Sequence, residues 1–176
     1  MDVADIEALI KSEASISTDI DPHSIPEGDP QLQQRCNLYI HTLIRRWEET
    51  EPVYLPECLP ELKRHLFPLL VQLRRGSLQK DLLTTLASLL YHLQQEEFAQ
   101  AEQCYLDLSL GKVAWPIGVA GVGIHSAHDT ARRIGTTRAN VMKDEETRDW
   151  ILQVKRLITF SIKAEPQSSE DEDDED

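Results

Sequence analysis

Residues 105–125 read YLDLSLGKVAWPIGVAGVGIH, and the way this stretch is read divides the chain. It is apolar but carries no helical period. Trp115 followed at once by Pro116 stops any helix, because the prolyl ring removes an amide and pushes its predecessor out of the helical region. Gly118, Gly121 and Gly123 then free the backbone. On either side the long segments are periodic in the manner of amphipathic helices. An irregular connection of roughly thirty residues is uncommon inside a compact domain, where such segments are binding elements or linkers. Apolar content argues against a linker, so the stretch and its basic continuation to Lys143 are read as a working loop between two helices.

Upstream of the loop the pattern predicts four helices. The first, over about 30–49, places Leu32, Cys36, Tyr39, Ile40, Leu43 and Trp47 on one arc, with Gln33, Asn37, Arg45 and Arg46 outside it, and Asp29-Pro30 as its start. The second begins after Pro56 or at Pro60, buries Leu62, Leu66, Leu69 and Leu73, and ends at Gly76; Pro68 inside it predicts a kink or a split. The third, capped by Ser77 and running to about residue 95, spreads its leucines over so wide an arc that it is expected at the centre. A fourth over about 96–110 ends at Gly111, a left-handed stop. Downstream, Asp144 caps a fifth helix whose Trp150, Val154, Leu157, Ile158 and Ser161 share a face. The fold expected is all-α, a bundle of five helices with a long irregular loop between helices four and five.

The helical domain is placed at residues 30–164. An acidic segment over 1–29 precedes it and is expected to be largely disordered, although residues 2–14 can form a short helix with Asp2 as cap and Val3, Ile6 and Ile10 on one side. So short a helix is marginal alone in water and frays or awaits a partner. The acidic tail over 165–176, EPQSSEDEDDED, is expected to be disordered, with Ser168 and Ser169 preceding its run of acids.

The net charge of −13 is unevenly laid along the chain. Residues 1–30 carry −7 and residues 165–176 carry −8, which leaves the body at +2. Residues 111–143 hold +4 of charge, so the one basic concentration coincides with the irregular loop. No run of about 18 apolar residues is available to cross a membrane. Cys36, Cys58 and Cys104 are odd in number and outside any CxxC word, which fits a reducing compartment and small core residues rather than a zinc knuckle.

Enzymatic chemistry finds little support. GVAGVG at 118–123 has neither the order of a dinucleotide fingerprint nor the closing GK[ST] of a phosphate loop. Only His125 and His128 lie near each other among the histidines, without a third ligand. No Ser or Cys sits in a nucleophile word. The chain is expected to be no enzyme and to need no cofactor. A Trp-Pro pair just past a helix, taken alone, reads as a plug packing the loop on the core.

Tyr105-Leu106, Leu108, Gly111, the run Trp115-Pro116-Ile117-Gly118-Val119 and the run Val122-Gly123-Ile124-His125 resemble the signature of the pre-mRNA-splicing factor 18 family. The likeness resumes at Asp144-Glu145, Thr147-Arg148 and Lys155-Arg156-Leu157, and spans about residues 105–159. Lys112-Val113-Ala114 stands where the family has Asn-Ala-Pro, and 126–134 diverges. The resemblance implies a nuclear, non-enzymatic factor of the second, exon-joining step of splicing. Its loop would support docking of the 3′ splice site beside the large scaffold protein of the catalytic core. That assigns a spliceosome contact to Trp115, Pro116, Ile117, Gly118, Val119, Gly121, Val122, Gly123, Ile124, His125, Arg132, Arg133 and Arg138. Apolar atoms of 117–124 would pack on protein while the three arginines lie near phosphate. The resemblance also implies a second exon-joining factor with its own zinc knuckle as partner, on a face of the first two helices among Arg45, Arg46, Lys63 and Arg64. The alternative is a helical adaptor in another nuclear assembly.

Overall fold

The computed structural model describes residues 2–27, 29–116 and 144–165. Among the described residues there are seven α-helices and no strand: α1 Val3–Ala14, α2 Ser24–Glu27, α3 Leu32–Glu49, α4 Leu59–Arg75, α5 Lys80–Gln94, α6 Phe98–Ser109 and α7 Glu145–Ala164. A 3₁₀ turn, Pro56–Cys58, leads into α4. The all-α class is as expected. The count of five is not, because α1 and α2 add two helices ahead of the predicted set.

α5 is the central helix, as its leucines predict, with ten buried residues packed against α3 and α6. Four of the ten are polar: Thr84, Thr85, Ser88 and His92. The hydroxyls are tolerated there because each donates to the carbonyl one turn back, Thr84 to Lys80 at 2.9 Å, Thr85 to Asp81 at 3.2 Å and Ser88 to Thr84 at 2.8 Å. α7 lies against α4, α6 and α3 and closes the bundle with Trp150, Val154, Leu157, Ile158 and Phe160. Phe160 stacks on Trp47 of α3 with ring centroids 4.9 Å apart and 9° between planes, and the Trp47 indole N–H is donated to the Tyr54 carbonyl. Burial pushes the thiols of Cys36 and Cys104 up to about 12, as befits small core residues.

Several ends differ from their sequence reading. α4 runs unbroken through Pro68 and stops at Gly76, whose φ of +67° lets its own amide and that of Ser77 turn back onto Leu73 and Gln72. Ser77 therefore completes α4 instead of capping α5. Asp29 does receive the Gln31 amide at 2.9 Å, although the regular helix starts at Leu32. Asn37, expected outside, is buried because its side chain donates to the Leu70 carbonyl at 2.9 Å, tying α3 to α4. The packed body also reaches upstream of Asp29, where the sequence reading begins it. Ile20 and Ile25 are buried in the core, and the Gln94 side chain clasps the backbone between them and α1 by donating to the Thr18 carbonyl at 2.6 Å and accepting from the Ile20 amide at 3.0 Å. α1 itself, capped by Asp2 as predicted and further closed by a capping box with Asp5, buries nothing.

Candidate functional site at the end of α6

α6 ends in a built stop. Gly111 takes a φ of +69°, its amide is donated to Leu108 at 3.2 Å and that of Lys112 to Asp107 at 2.8 Å, which satisfies two terminal carbonyls and turns the chain back toward α5. There the next residues are tied down one by one. The Ala114 amide is donated to Thr85 Oγ1 at 3.1 Å, the same hydroxyl lies 3.1 Å from the Lys112 carbonyl, and Ser88 Oγ reaches the Ala114 carbonyl at 3.0 Å. Thr85 and Ser88 are buried, as are Ala114 and Pro116, and Trp115 is half-buried against the core. The polar stripe of the central helix thus replaces water for a backbone segment that has no helical partners of its own.

The described residues resume at Asp144. Its carboxylate was expected to cap α7 through a backbone amide; it instead accepts from the Thr147 hydroxyl. Glu145 and Glu146 fill the first turn of α7, where the positive end of the helix dipole favours them. Between the exit and the return, α6 and α7 enclose a shallow groove of about 410 Å³ lined by Tyr105, Ser109, Arg148, Ile151 and Leu152 among others. Lys155 holds the two helices together through Glu102 at 2.9 Å and lies over the Tyr105 ring. On its other side α7 is joined to α4 by Arg156 and Glu61 at 3.0 Å and by His65 and Asp149 at 3.5 Å. The Arg156 hydrogen bond is the main reason the Glu61 carboxyl is held below its ordinary range.

Of the residues singled out from sequence past α6, Trp115 packs half-buried against the core and Pro116 is buried. Ile117, Gly118, Val119, Gly121, Val122, Gly123, Ile124, His125, Arg132, Arg133 and Arg138 lie outside the described residues. Arg45, Arg46, Lys63 and Arg64 are all exposed. Lys63 turns to α3 and pairs with Glu48; Arg64 lines a groove with Asp144, Glu145 and Asp149 at the α4–α7 side. Arg46, about 100° around the helix from Arg45, lines a cleft with Tyr39, Glu96 and Glu165. Thr85 and Ser88 were missed by sequence reasoning. The signal was there, in hydroxyls set inside the widest apolar arc of the chain.

A helical bundle whose central helix spends its polar side chains on holding the residues just past α6 is the class of protein these features define. The chain belongs to the Prp18 domain family, whose model matches residues 37–167. Pre-mRNA-splicing factor 18 of Saccharomyces cerevisiae is 51% identical to it over 160 residues, which cover 88% of this chain and 63% of that protein. The protein of the same name in Schizosaccharomyces pombe is 32% identical over 117 residues, 66% of this chain and 34% of that one. In Bos taurus it is 32% identical over 106 residues, 60% of this chain and 31% of that one. The chain therefore spans just under two-thirds of the first relative and about a third of the other two. α1 and α2 lie ahead of the matched residues.

Proposed function

We propose that this protein is a non-enzymatic splicing factor that promotes the second transesterification, the joining of exons, by supporting docking of the 3′ splice site in the remodelled spliceosome. The observation that carries the reading is the loop root: the family's Trp-Pro word opens the loop, and Thr85 and Ser88 hold the residues just before it to the central helix. A root held by buried hydrogen bonds lets a long segment be aimed without a large ordering cost at its base. In this reading the apolar residues 117–124 wedge against protein, and Arg132, Arg133 and Arg138 approach phosphate. The partners are the large scaffold protein of the catalytic core, the zinc-knuckle second-step factor and pre-mRNA near the 3′ splice site, and the compartment is the nucleus. The reacting groups belong to the RNA.

Nuclear extract depleted of the protein tests this directly. Lariat intermediate and free 5′ exon should accumulate, and adding the recombinant chain back should convert them to spliced product, while a chain lacking residues 120–134 should not. Equal loss of both transesterification steps on depletion would point instead to a helical adaptor that serves assembly in general.

A further inference from the structure

Outside the loop, the outer surface of α4 carries an unusual stripe. Lys63, Phe67, Val71 and Arg74 fall within one narrow arc of the helix, and Phe67 at its middle is 65% exposed. α1 carries the opposite stripe: Ile6, Ile10 and Glu13 share one side of a helix whose apolar residues are all exposed, and Asp2 caps its start. One rung between the two already exists, since Arg74 donates to Glu13 at 2.6 Å. Both groups act on His41 of α3, whose proton affinity is lowered by burial and then by Arg74, with Glu13 opposing.

The spacings agree along the whole length. Taking Glu13 and Arg74 as origin, Ile10 and Val71 are each three residues back, Ile6 and Phe67 each seven, Asp2 and Lys63 each eleven. Both being α-helices, seven residues are about 10.5 Å on each, so a parallel α1 would follow the Glu13–Arg74 pair with two apolar pairs and bring its acidic cap, Asp2, to the Lys63 end. Lys63 keeps donors to spare beyond its pair with Glu48.

We propose that the outer stripe of α4 is a docking surface for an acidic amphipathic helix, and that its occupant in the free chain is α1, zipped onto it in cis from the Glu13–Arg74 rung. The proposal is independent of the splicing role and can fail without touching it. Its consequence is that a partner for this face must present acid and apolar groups at the same spacing and displace α1.

Hydrogen–deuterium exchange on the full-length chain at low salt and low protein concentration tests it. A twelve-residue helix is marginal alone in water, so slow exchange in α1 requires docking. Phe67→Ala should speed α1 exchange roughly tenfold, the loss expected for one apolar contact, and leave α5 unchanged. Arg74→Glu should do the same, and Glu13→Lys together with Arg74→Glu should restore protection. Ile6→Ala supplies a variant outside the core: alanine favours helix, so faster exchange there reports lost docking alone. Identical α1 exchange in the wild type, Phe67→Ala and Ile6→Ala would overturn the proposal. So would protection that grows with protein concentration, which would assign the stripe to a second copy.

Discussion

Thr85→Val isolates the hold on the loop's root. The substitution keeps the branched shape and deletes one hydroxyl from a residue that is 1% exposed. Two contacts are lost besides the local bond to Asp81: acceptance of the buried Ala114 amide at 3.1 Å and the approach to the Lys112 carbonyl at 3.1 Å. The second is cheap, because Lys112 is exposed and water can take over. An orphaned buried amide is not, at about 1–3 kcal/mol. A loss of about 2 kcal/mol in unfolding free energy is expected. Ser88→Ala should cost less, about 0.5–1 kcal/mol, because one proton is divided between the Thr84 carbonyl at 2.8 Å and the Ala114 carbonyl at 3.0 Å. The double variant should lose less than the two singles together, since both release the same short segment. Urea denaturation supplies the energies, and amide exchange at Ala114 localises them: its protection should fall in Thr85→Val well before global unfolding. A cost under about 0.5 kcal/mol with the Ala114 amide still protected would refute the claim that α5 holds the root.

The two buried tryptophans should differ in their response to phenylalanine. Trp150 is fully buried with its indole nitrogen unpartnered among the described residues, so Trp150→Phe removes a liability along with some volume and should stay within about 1 kcal/mol of wild type, whereas Trp47→Phe also loses the bond to Tyr54 and should cost about 2 kcal/mol or more, both read from urea midpoints. Glu96 is a non-glycine residue at a φ of +59°, where its amide and that of Glu97 close the end of α5, so Glu96→Gly should raise stability by about 0.5–1 kcal/mol and Glu96→Ala should not. The Glu61 carboxyl, held low chiefly by Arg156, is a depressed acid: its contribution is present above the unfolded glutamate value and lost as pH falls through the folded one. Urea midpoints between pH of about 5 and about 3 should therefore drop less steeply in Glu61→Gln than in wild type; parallel slopes would mean the pair contributes nothing.

The amino-acid order alone determined the helical class, the bounds of the main helices to within a few residues and the central place of α5. Those are local matters. A period of 3.6 residues sorts Leu82, Leu86, Leu89 and Leu93 to one side whatever lies opposite, and a left-handed glycine such as Gly111 ends a helix through its own backbone freedom. The family was legible for the same reason, in short words of adjacent residues. What the tertiary structure decided were the pairings between segments distant in sequence. Ile20 and Ile25 stand alone in a run of Ser, Asp and Pro, and only the Gln94 clasp and the cover they provide over the core show them to be inside. Asn37 reads as a surface residue until the Leu70 carbonyl arrives beside it. Arg46 and Arg64 look like one basic face until the helices turn them to different grooves. Thr85 and Ser88 look like flaws in an apolar arc until Ala114 folds back onto them. A hydrogen-bonding group's fate depends on which partner replaces water, and that partner is chosen by packing, which no local pattern records.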